Sequence, residues 1–206
     1  MTGIGWRFDR RLRVAVAALA TLVTGCADAR PMYDHVHGAT LRLEVPGGAC
    51  SGTAISRTWV LTASHCFEAD KPATIKANGK TCEVRTIVHD GRDHALVRLR
   101  GCTFSVTAKV GRAPRVGDAI FVWGNPYTFR DMLRFGRVAG YQDDAMPGLG
   151  RAMMVDFNGW PGDSGAALFN WRGEICAVVS IGSQPYRLMG VFPFAFTRKQ
   201  WREATA

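Results

Sequence analysis

No uncharged apolar run in this 206-residue sequence is long enough to cross a bilayer as a helix, since a spanning helix needs about 20 residues. The longest such run, VAVAALATLV, covers residues 14–23. Internal repeats and low-complexity segments are also lacking and strongly helical windows are scarce, whereas glycine is frequent, with 23 residues. These features argue against a repeat array and favour a β-rich globular protein with many turns.

A block of basic residues is lacking too, although the formal net charge is +9. The first 13 residues contain four arginines and one aspartate, so a chain without this segment carries about +6. This charge is spread along the sequence without aromatic interleaving, which argues against a nucleic-acid partner. We expect a solvated surface with some affinity for anionic envelopes.

The first 25 residues have the order of an export signal: a basic start, an apolar stretch and small residues at a cleavage point. The stretch LVTGC resembles the bacterial lipobox, and by that resemblance Cys26 becomes the lipidated first residue. We therefore expect a signal peptide over residues 1–25 and a lipid anchor in the cell envelope, facing the periplasm or the cell exterior. A plain secretory signal and an uncleaved anchor are the alternatives.

Short strands separated by turn residues recur from residue 40 onward, as in TLRLEV, TWVLTA, CEVRTIV, AIFVWG and EICAVVSIG. This even spacing predicts a sandwich or a barrel. A turn-rich stretch near 104–116 divides the strands into two β units of similar size. The polar residues 26–39 are expected to form a tether, and TRKQWREATA is the one good helix candidate.

Five cysteines remain after the lipobox cysteine, and an exported chain is expected to pair them. Cys82 and Cys102 flank two strands around the polar turn HDGRD, so a hairpin places them opposite each other. Cys50 and Cys66 flank another hairpin-like stretch. We expect bridges within these two pairs, and Cys176 as a buried free thiol.

The stretch WPGDSGAAL, at 160–168, places a serine between an acid and a glycine. A serine hydroxyl is a weak nucleophile that needs a histidine base oriented by a carboxylate. His65 lies upstream in VLTASHCF, and Asp93 lies between them in GRDHALVRL. Together GACSGTAISRTWVLTASHC, DHALVRL, GDSG and VVSIG resemble the chymotrypsin-like serine peptidases, in the family's order and over roughly residues 40–203.

The resemblance implies an all-β fold of two antiparallel six-stranded β-barrels with a short C-terminal helix. The first barrel would cover about 40–108, the second about 109–196 and the helix about 197–204. The resemblance further implies a serine endopeptidase that acts on polypeptides without a cofactor or metal. Its catalytic residues would be His65, Asp93 and Ser164, and its oxyanion hole the backbone N–H groups of Gly162 and Ser164.

The resemblance also raises the question of what neutralises Asp163. No IVGG-like activation site precedes TLRLEV, and bacterial members without zymogen cleavage often pair this acid with an arginine. Arg137 is our candidate, with a plain surface charge as the alternative.

By the same resemblance, Asn158 lies at the base of the substrate pocket, and no acid stands there to favour Lys or Arg at P1. We expect an uncharged, small-to-medium P1 residue. Trp160 either lines the pocket or covers its loop. The expected pocket walls are Ser180, Ile181, Gly182 and Gly190.

The same residues allow other interpretations. Asp90 could replace Asp93 as the triad acid, and the HVH stretch at 35–37 could bind a metal. A metal site in HDGRDH has spacing that matches no reliable motif. A catalytically silent binding protein of the same fold and a self-processing peptidase with one dedicated partner are the alternatives to a general endopeptidase. The residues that the HDGRDH metal site would use are His89, Asp90, Asp93 and His94.

Overall fold

A closed barrel of six antiparallel strands forms the first half of the computed structural model. The structure describes residues 29–67, 72–146, 148–183 and 188–206. The predicted signal peptide and Cys26 lie outside these residues. Among the helices that are described, none is long and apolar enough to span a membrane.

The described residues contain two α-helices and thirteen strands. The helices are α1 (Arg30–Ala39) and α2 (Arg198–Thr205). The strands are β1 (Thr40–Val45), β2 (Gly48–Ala54), β3 (Trp59–Ala63), β4 (Thr74–Ala77), β5 (Lys80–His89), β6 (His94–Arg100), β7 (Ala119–Gly124), β8 (Met132–Met146), β9 (Gly150–Asp156), β10 (Ala167–Phe169), β11 (Ile175–Val178), β12 (Ile181–Ser183) and β13 (Leu188–Val191).

The first barrel has the strand order β1-β2-β3-β6-β5-β4 and encloses its own apolar core. Both predicted disulfides are present. Cys50–Cys66 joins β2 to the turn after β3, and Cys82–Cys102 joins β5 to the end of β6. Cys176 is a free and buried thiol, and burial raises its pKa to about 12.

The second half is a seven-stranded sheet of order β11-β10-β7-β8-β9-β13-β12, and not the six-stranded barrel that we expected. The difference arises because the predicted strand EICAVVSIG is interrupted at Val179 and Ser180, between β11 and β12. β11 and β12 are the two edge strands of this sheet, and the short segment Val179 and Ser180 connects them. The fold is nearly all-β and chymotrypsin-like.

The two halves share a core in which Trp59, Leu61 and Leu96 of the first barrel pack with Phe121 and Phe169 of the second sheet. Residues 32–206 form one compact unit. Because β3 and β6 contribute to this shared core, the loops that follow β3 and precede β6 are held beside the second sheet.

The segment expected to be a tether contains α1 over residues 30–39. Val36 and Ala39 are buried in the shared core, and the ring of Tyr33 packs edge-on against Phe121 at 5.1 Å between centroids. The apolar residues recur with helical spacing along a segment that is otherwise polar. The tether interpretation missed them because few apolar positions are enough to bury one face of a short helix.

The predicted C-terminal helix is present as α2. Thr197 caps it, since its hydroxyl accepts a hydrogen bond from the Gln200 N–H and the Gln200 side chain accepts one from the Thr197 N–H. Trp201 packs edge-on against Phe194 and Phe196. The aromatic contacts fix the end of the chain to the shared core.

Candidate active site

His65 lies on the 3₁₀ turn Ser64–Phe67 that follows β3. Two connections hold this turn in place. The Cys50–Cys66 disulfide ties it to β2, and the Ser64 N–H donates to the Asp93 carbonyl at 3.0 Å. The side chain of His65 is 39% exposed, so the imidazole can reach a bound substrate.

Asp93 lies in the turn between β5 and β6 and accepts hydrogen bonds from His65. Its two carboxylate oxygens are each 2.9 Å from His65 Nδ1, and its Oδ1 accepts the His65 backbone N–H at 3.0 Å. The Ser180 hydroxyl donates to Oδ2. Burial alone would raise the pKa of Asp93, but the hydrogen bonds from His65 and Ser180 hold that pKa below its ordinary value.

This arrangement assigns the histidine protons. A carboxylate with a lowered pKa is ionised and accepts hydrogen bonds only, so Nδ1 of His65 carries a proton. The other ring nitrogen, Nε2, is then the basic one. His65 and Asp93 thus form a hydrogen-bonded imidazole–carboxylate pair, as a histidine base with an orienting carboxylate would.

Ser164 lies in a tight turn between two glycines with positive φ, Gly162 at +99° and Gly165 at +86°. A Cβ on Gly162 would overlap the Asn125 carbonyl oxygen, and one on Gly165 would overlap the Ser51 carbonyl oxygen. Only glycine fits both places. The turn is fixed to β2 because the Ser51 N–H donates to the Ser164 carbonyl at 2.7 Å.

Two observations place Ser164 next to the His65–Asp93 pair. The Cys66 Sγ atom, one residue after the histidine, lies 3.9 Å from the Ser164 carbonyl oxygen. Ser164 and Ser180 line the same cavity, and Ser180 donates to Asp93. The first barrel therefore carries the histidine and the aspartate, and the serine lies on the turn that precedes β10.

The backbone N–H groups of Gly162 and Ser164 have no hydrogen-bond acceptor within the described part of the chain. Their neighbours do: the Asp163 N–H donates to the Trp160 carbonyl at 2.9 Å, and the Ala166 N–H donates to the Asp163 carbonyl at 2.8 Å. The turn thus leaves two donors beside the serine available for an anionic oxygen.

Asp163 is neutralised by Arg134, and our candidate Arg137 was wrong. The Arg134 guanidinium donates to both carboxylate oxygens of the fully buried Asp163, and the Trp160 N–H donates to Oδ2. Arg137 is exposed and donates to the Gly117 carbonyl. Both arginines lie on β8, but an odd separation places them on opposite faces of the strand.

A cavity of about 510 Å³ opens beside Ser164. Trp160 lines this cavity, so of its two expected positions the one in the pocket wall is observed. Ser180 lines the cavity too. Asn158 is not among the lining residues, and its carbonyl instead accepts a hydrogen bond from Arg134. The lining residues are Tyr127, Gly159, Trp160, Pro161, Ser164, Val179, Ser180 and Met189.

The other predicted wall residues lie on β12 and β13. Ile181 pairs with Gly190, and Gly182 pairs with Met189. Met189 is 3% exposed and packs so closely on Gly159 that a Cβ on that glycine would overlap its thioether. Methionine therefore forms a wall that the sequence motifs did not identify.

Asp90 does not take the place of Asp93. It pairs with His94, while His89 pairs with the Ser64 hydroxyl. In the described residues, no three His, Cys, Asp or Glu side chains come together as a potential metal site. Of the HVH stretch, His35 contacts the Thr107 carbonyl and His37 contacts Asp131.

Residues 50–178 match the family model described as trypsin-like peptidase domain. The chain belongs to this family. The matched region contains the histidine turn, the aspartate turn and the serine turn described above. A search of the curated proteins finds no match.

The peptidase fold is also that of the Rv3671c protease of M. tuberculosis. Its inactive form has a TM-score of 0.67 and 18% identity, and the alignment covers 85% of this chain and 93% of that chain. The active form has a TM-score of 0.67 and 18% identity over 80% and 79%. For a serine-to-alanine mutant of the inactive form, the TM-score is 0.68 and the identity is 15%. That alignment covers 84% of this chain and 90% of the mutant chain.

Three residues of this trypsin-like peptidase escaped the sequence motifs: Arg134, Tyr127 and Met189. Arg134 and Arg137 are three residues apart on one strand, so their side chains point to opposite faces and only one of them can reach Asp163. This alternation is the one sequence signal that distinguishes the two arginines. Tyr127 and Met189 reach the cavity from a loop and a strand that are distant from Ser164 in the chain. No local signal marks them.

Proposed function

We propose that this trypsin-like peptidase is a serine endopeptidase that uses Ser164, His65 and Asp93. The observation that carries the proposal is the hydrogen-bonded pair of Asp93 and His65 beside the Ser164 turn. A histidine with its Nδ1 proton held by a carboxylate is the arrangement that a serine nucleophile needs.

In the proposed reaction, Ser164 Oγ attacks the carbonyl carbon of a peptide bond, and His65 Nε2 takes the hydroxyl proton. The tetrahedral intermediate collapses when the imidazolium returns this proton to the leaving amine, which breaks the C–N bond and leaves an acyl-enzyme. A water molecule then attacks the ester in the same way and releases the acid. Asp93 stabilises the imidazolium in both steps.

The N–H groups of Gly162 and Ser164 would hold the oxyanion of each tetrahedral intermediate. They are free of internal acceptors in the described residues, and both glycines that shape the turn are required by close contacts. Loss of one oxyanion donor typically costs about 10²–10³-fold in rate. The turn geometry therefore matters almost as much as the hydroxyl.

The cavity favours an uncharged P1 side chain. Met189, Trp160 and Val179 present apolar surface, and none of the described residues that line the cavity is acidic. A lysine or arginine side chain would lose hydration there without gaining a counter-charge. The large aromatic and thioether surfaces suit a medium-sized apolar residue of a polypeptide.

We further propose that the protein acts in the cell envelope, with Cys26 lipidated and the catalytic domain outside the cytoplasm. The order of residues 1–26 supports this location. The two disulfides agree with an oxidising compartment.

Labelling with a fluorophosphonate probe tests the proposed function. The full chain should form a covalent adduct at Ser164, and the Ser164→Ala variant should form none. The reaction needs an activated serine and no knowledge of the substrate. An unlabelled but folded chain would contradict the proposal and favour a silent protein of this fold.

A further inference from the structure

Asp90 and His94 form a second carboxylate–histidine pair that the proposed mechanism does not use. Both side chains are completely shielded from solvent, and His94 Nδ1 donates to Asp90 Oδ2 at 2.7 Å. They stand at the two ends of the turn that contains Asp93. The pair therefore encloses the residue that orients the catalytic base.

The Asp90 carboxylate accepts four hydrogen bonds. Oδ1 accepts the backbone N–H groups of Arg92 at 2.8 Å and His94 at 3.1 Å. Oδ2 accepts His94 Nδ1 and the backbone N–H of Ala195 at 2.9 Å. A buried carboxylate is costly unless it is satisfied in this way. Burial alone would raise the pKa of Asp90, but these hydrogen bonds lower it, so the group is ionised.

His94 contributes a specific hydrogen bond rather than simple packing. Its Nδ1–H serves Asp90, whereas Nε2 is buried without a partner in the described residues. The ring packs edge-on against Phe194 at 4.8 Å. An unpaired buried nitrogen costs free energy, so an apolar ring would fill this site at lower cost. Only the bond from Nδ1 to Asp90 gives a reason for a histidine.

The backbone of Asp93 explains why its turn needs support. Asp93 has φ of +65°, in the left-handed region that costs every L-residue free energy, although aspartate less than most. Such a conformation persists only where its surroundings over-determine it. Asp90 Oδ1 holds the N–H groups on both sides of Asp93, at Arg92 and His94, and Oδ2 ties the turn to Ala195 near the end of the chain.

We propose that Asp90 and His94 are positioning residues that hold the Asp93 turn in its strained conformation and thereby align His65. The inference rests on the proposed function, since the alignment matters for a serine peptidase. It assigns these residues no contact with substrate. Their effect passes through the turn alone.

The Asp90→Asn variant tests the inference. The amide oxygen can still accept the backbone N–H groups of Arg92 and His94, but the amide NH₂ then faces both the Ala195 N–H and His94 Nδ1, so donors oppose each other where Oδ2 accepted two hydrogen bonds. With p-nitrophenyl acetate as the probe substrate, we expect kcat to fall about tenfold or more, because small misplacements of catalytic groups are costly. KM should stay within about twofold, since the residue does not line the cavity.

Amide hydrogen exchange of the full chain gives a second readout that needs no catalysis. The His65 N–H donates to Asp93 Oδ1 and reports the position of that carboxylate. In Asp90→Asn we expect faster exchange at both Ala195 and His65. Faster exchange at Ala195 with unchanged protection at His65 would overturn the proposal, because the pair would then hold only the C-terminal segment.

Two further variants keep the test decisive. Val97→Ala, in the core of the same strand β6, should lower the melting temperature but leave kcat per folded molecule and His65 exchange unchanged. His94→Phe retains the packing against Phe194 and removes one donor, so it should fold even where Asp90→Asn does not, and kcat should fall about threefold or more. Equal kcat in His94→Phe and Val97→Ala, with the same His65 exchange, would refute the positioning role. A native chain that is not labelled at Ser164 would defeat the proposed function, while the exchange at His65 would still decide this inference.

Discussion

At the scale of single residues, Asp163 shows how one buried charge shapes the serine turn. Its carboxylate is fully buried, accepts two hydrogen bonds from Arg134 and accepts a third from the Trp160 N–H. A Cβ on Gly124 would overlap this carboxylate, so β7 leaves space for it. The carboxylate therefore connects the turn before Ser164 to the second sheet.

Replacement of Arg134 by alanine should leave that charge buried and unpaired. We expect a loss of about 3 kcal/mol in the free energy of unfolding, at the low end for a broken buried pair because the guanidinium is partly exposed. Labelling of Ser164 should also fall, since Asp163 would move toward water and carry the turn with it. Urea unfolding and fluorophosphonate labelling measure the two effects.

Arg137→Ala is the matched control for this variant. It removes the same side chain from the same strand, where the guanidinium is exposed and bonded to a carbonyl. The free energy of unfolding should change by no more than about 0.5 kcal/mol, with labelling unchanged. Similar losses in both variants would show that Arg134 does not have the role we assign to it.

At the scale of elements, strand β6 separates two disulfides that have different consequences. The strand begins at His94, directly after Asp93, and ends at Arg100, close to Cys102. Cys50–Cys66 therefore lies at the end of the barrel that carries His65 and Asp93, whereas Cys82–Cys102 lies at the far end. The two bridges close loops of similar length, with separations of 16 and 20 residues.

Removal of either bridge by paired serine substitutions should cost about 3 kcal/mol of stability, because the loops are alike. Only loss of Cys50–Cys66 should reduce labelling of the folded fraction, since this bridge holds the turn that carries His65. Thermal unfolding and labelling at a temperature where both variants are folded check this prediction. Equal labelling of the two variants would contradict it.

Strand geometry also explains what the sequence could reveal at this scale. His65, Asp93 and Ser164 each lie within a short continuous motif, so local reading led to them. To identify Arg134 as the partner of Asp163, one must know which face of β8 points toward Asp163. That face depends on the register of β8 with β7 and β9, which no single segment of sequence determines. The split of EICAVVSIG into β11 and β12 likewise depends on the Ser164 turn, which bonds to Val179 between them.

At the scale of the whole molecule, the two ionised carboxylates of the Asp93 turn link stability to pH. The pKa values of Asp90 and Asp93 lie below the ordinary aspartate value of 3.8. Their stabilising contribution is therefore complete above that value and is lost as pH falls through the lower folded-state values. Unfolding binds protons in this range.

We accordingly expect the free energy of unfolding to fall as the pH is lowered below about 4. Asp90→Asn should be less stable than the native chain at neutral pH and should lose less additional stability on acidification. Denaturant unfolding at a series of pH values measures both slopes. Parallel curves for the two proteins would mean that Asp90 titrates alike in the folded and unfolded states.

The N-terminal helix shows where sequence reasoning reached its limit for the whole chain. Residues 26–39 are polar enough to suggest a tether, and the helical spacing of Met32, Val36 and Ala39 is short and weak. What stabilises α1 is the apolar surface of the second sheet, which is built from residues such as Phe121 and Phe169, far away in the chain. Tertiary packing decides such a segment, and local preference does not.

The bridge between Cys50 and Cys66 bears on when the newly synthesised chain becomes active. Where thiols are kept reduced, this bond does not form, and the histidine turn lacks the tie that brings it to the serine. The newly made chain would then be inactive until an oxidant forms the bridge. Redox state would then protect the proteins of the cell in which the peptidase is made.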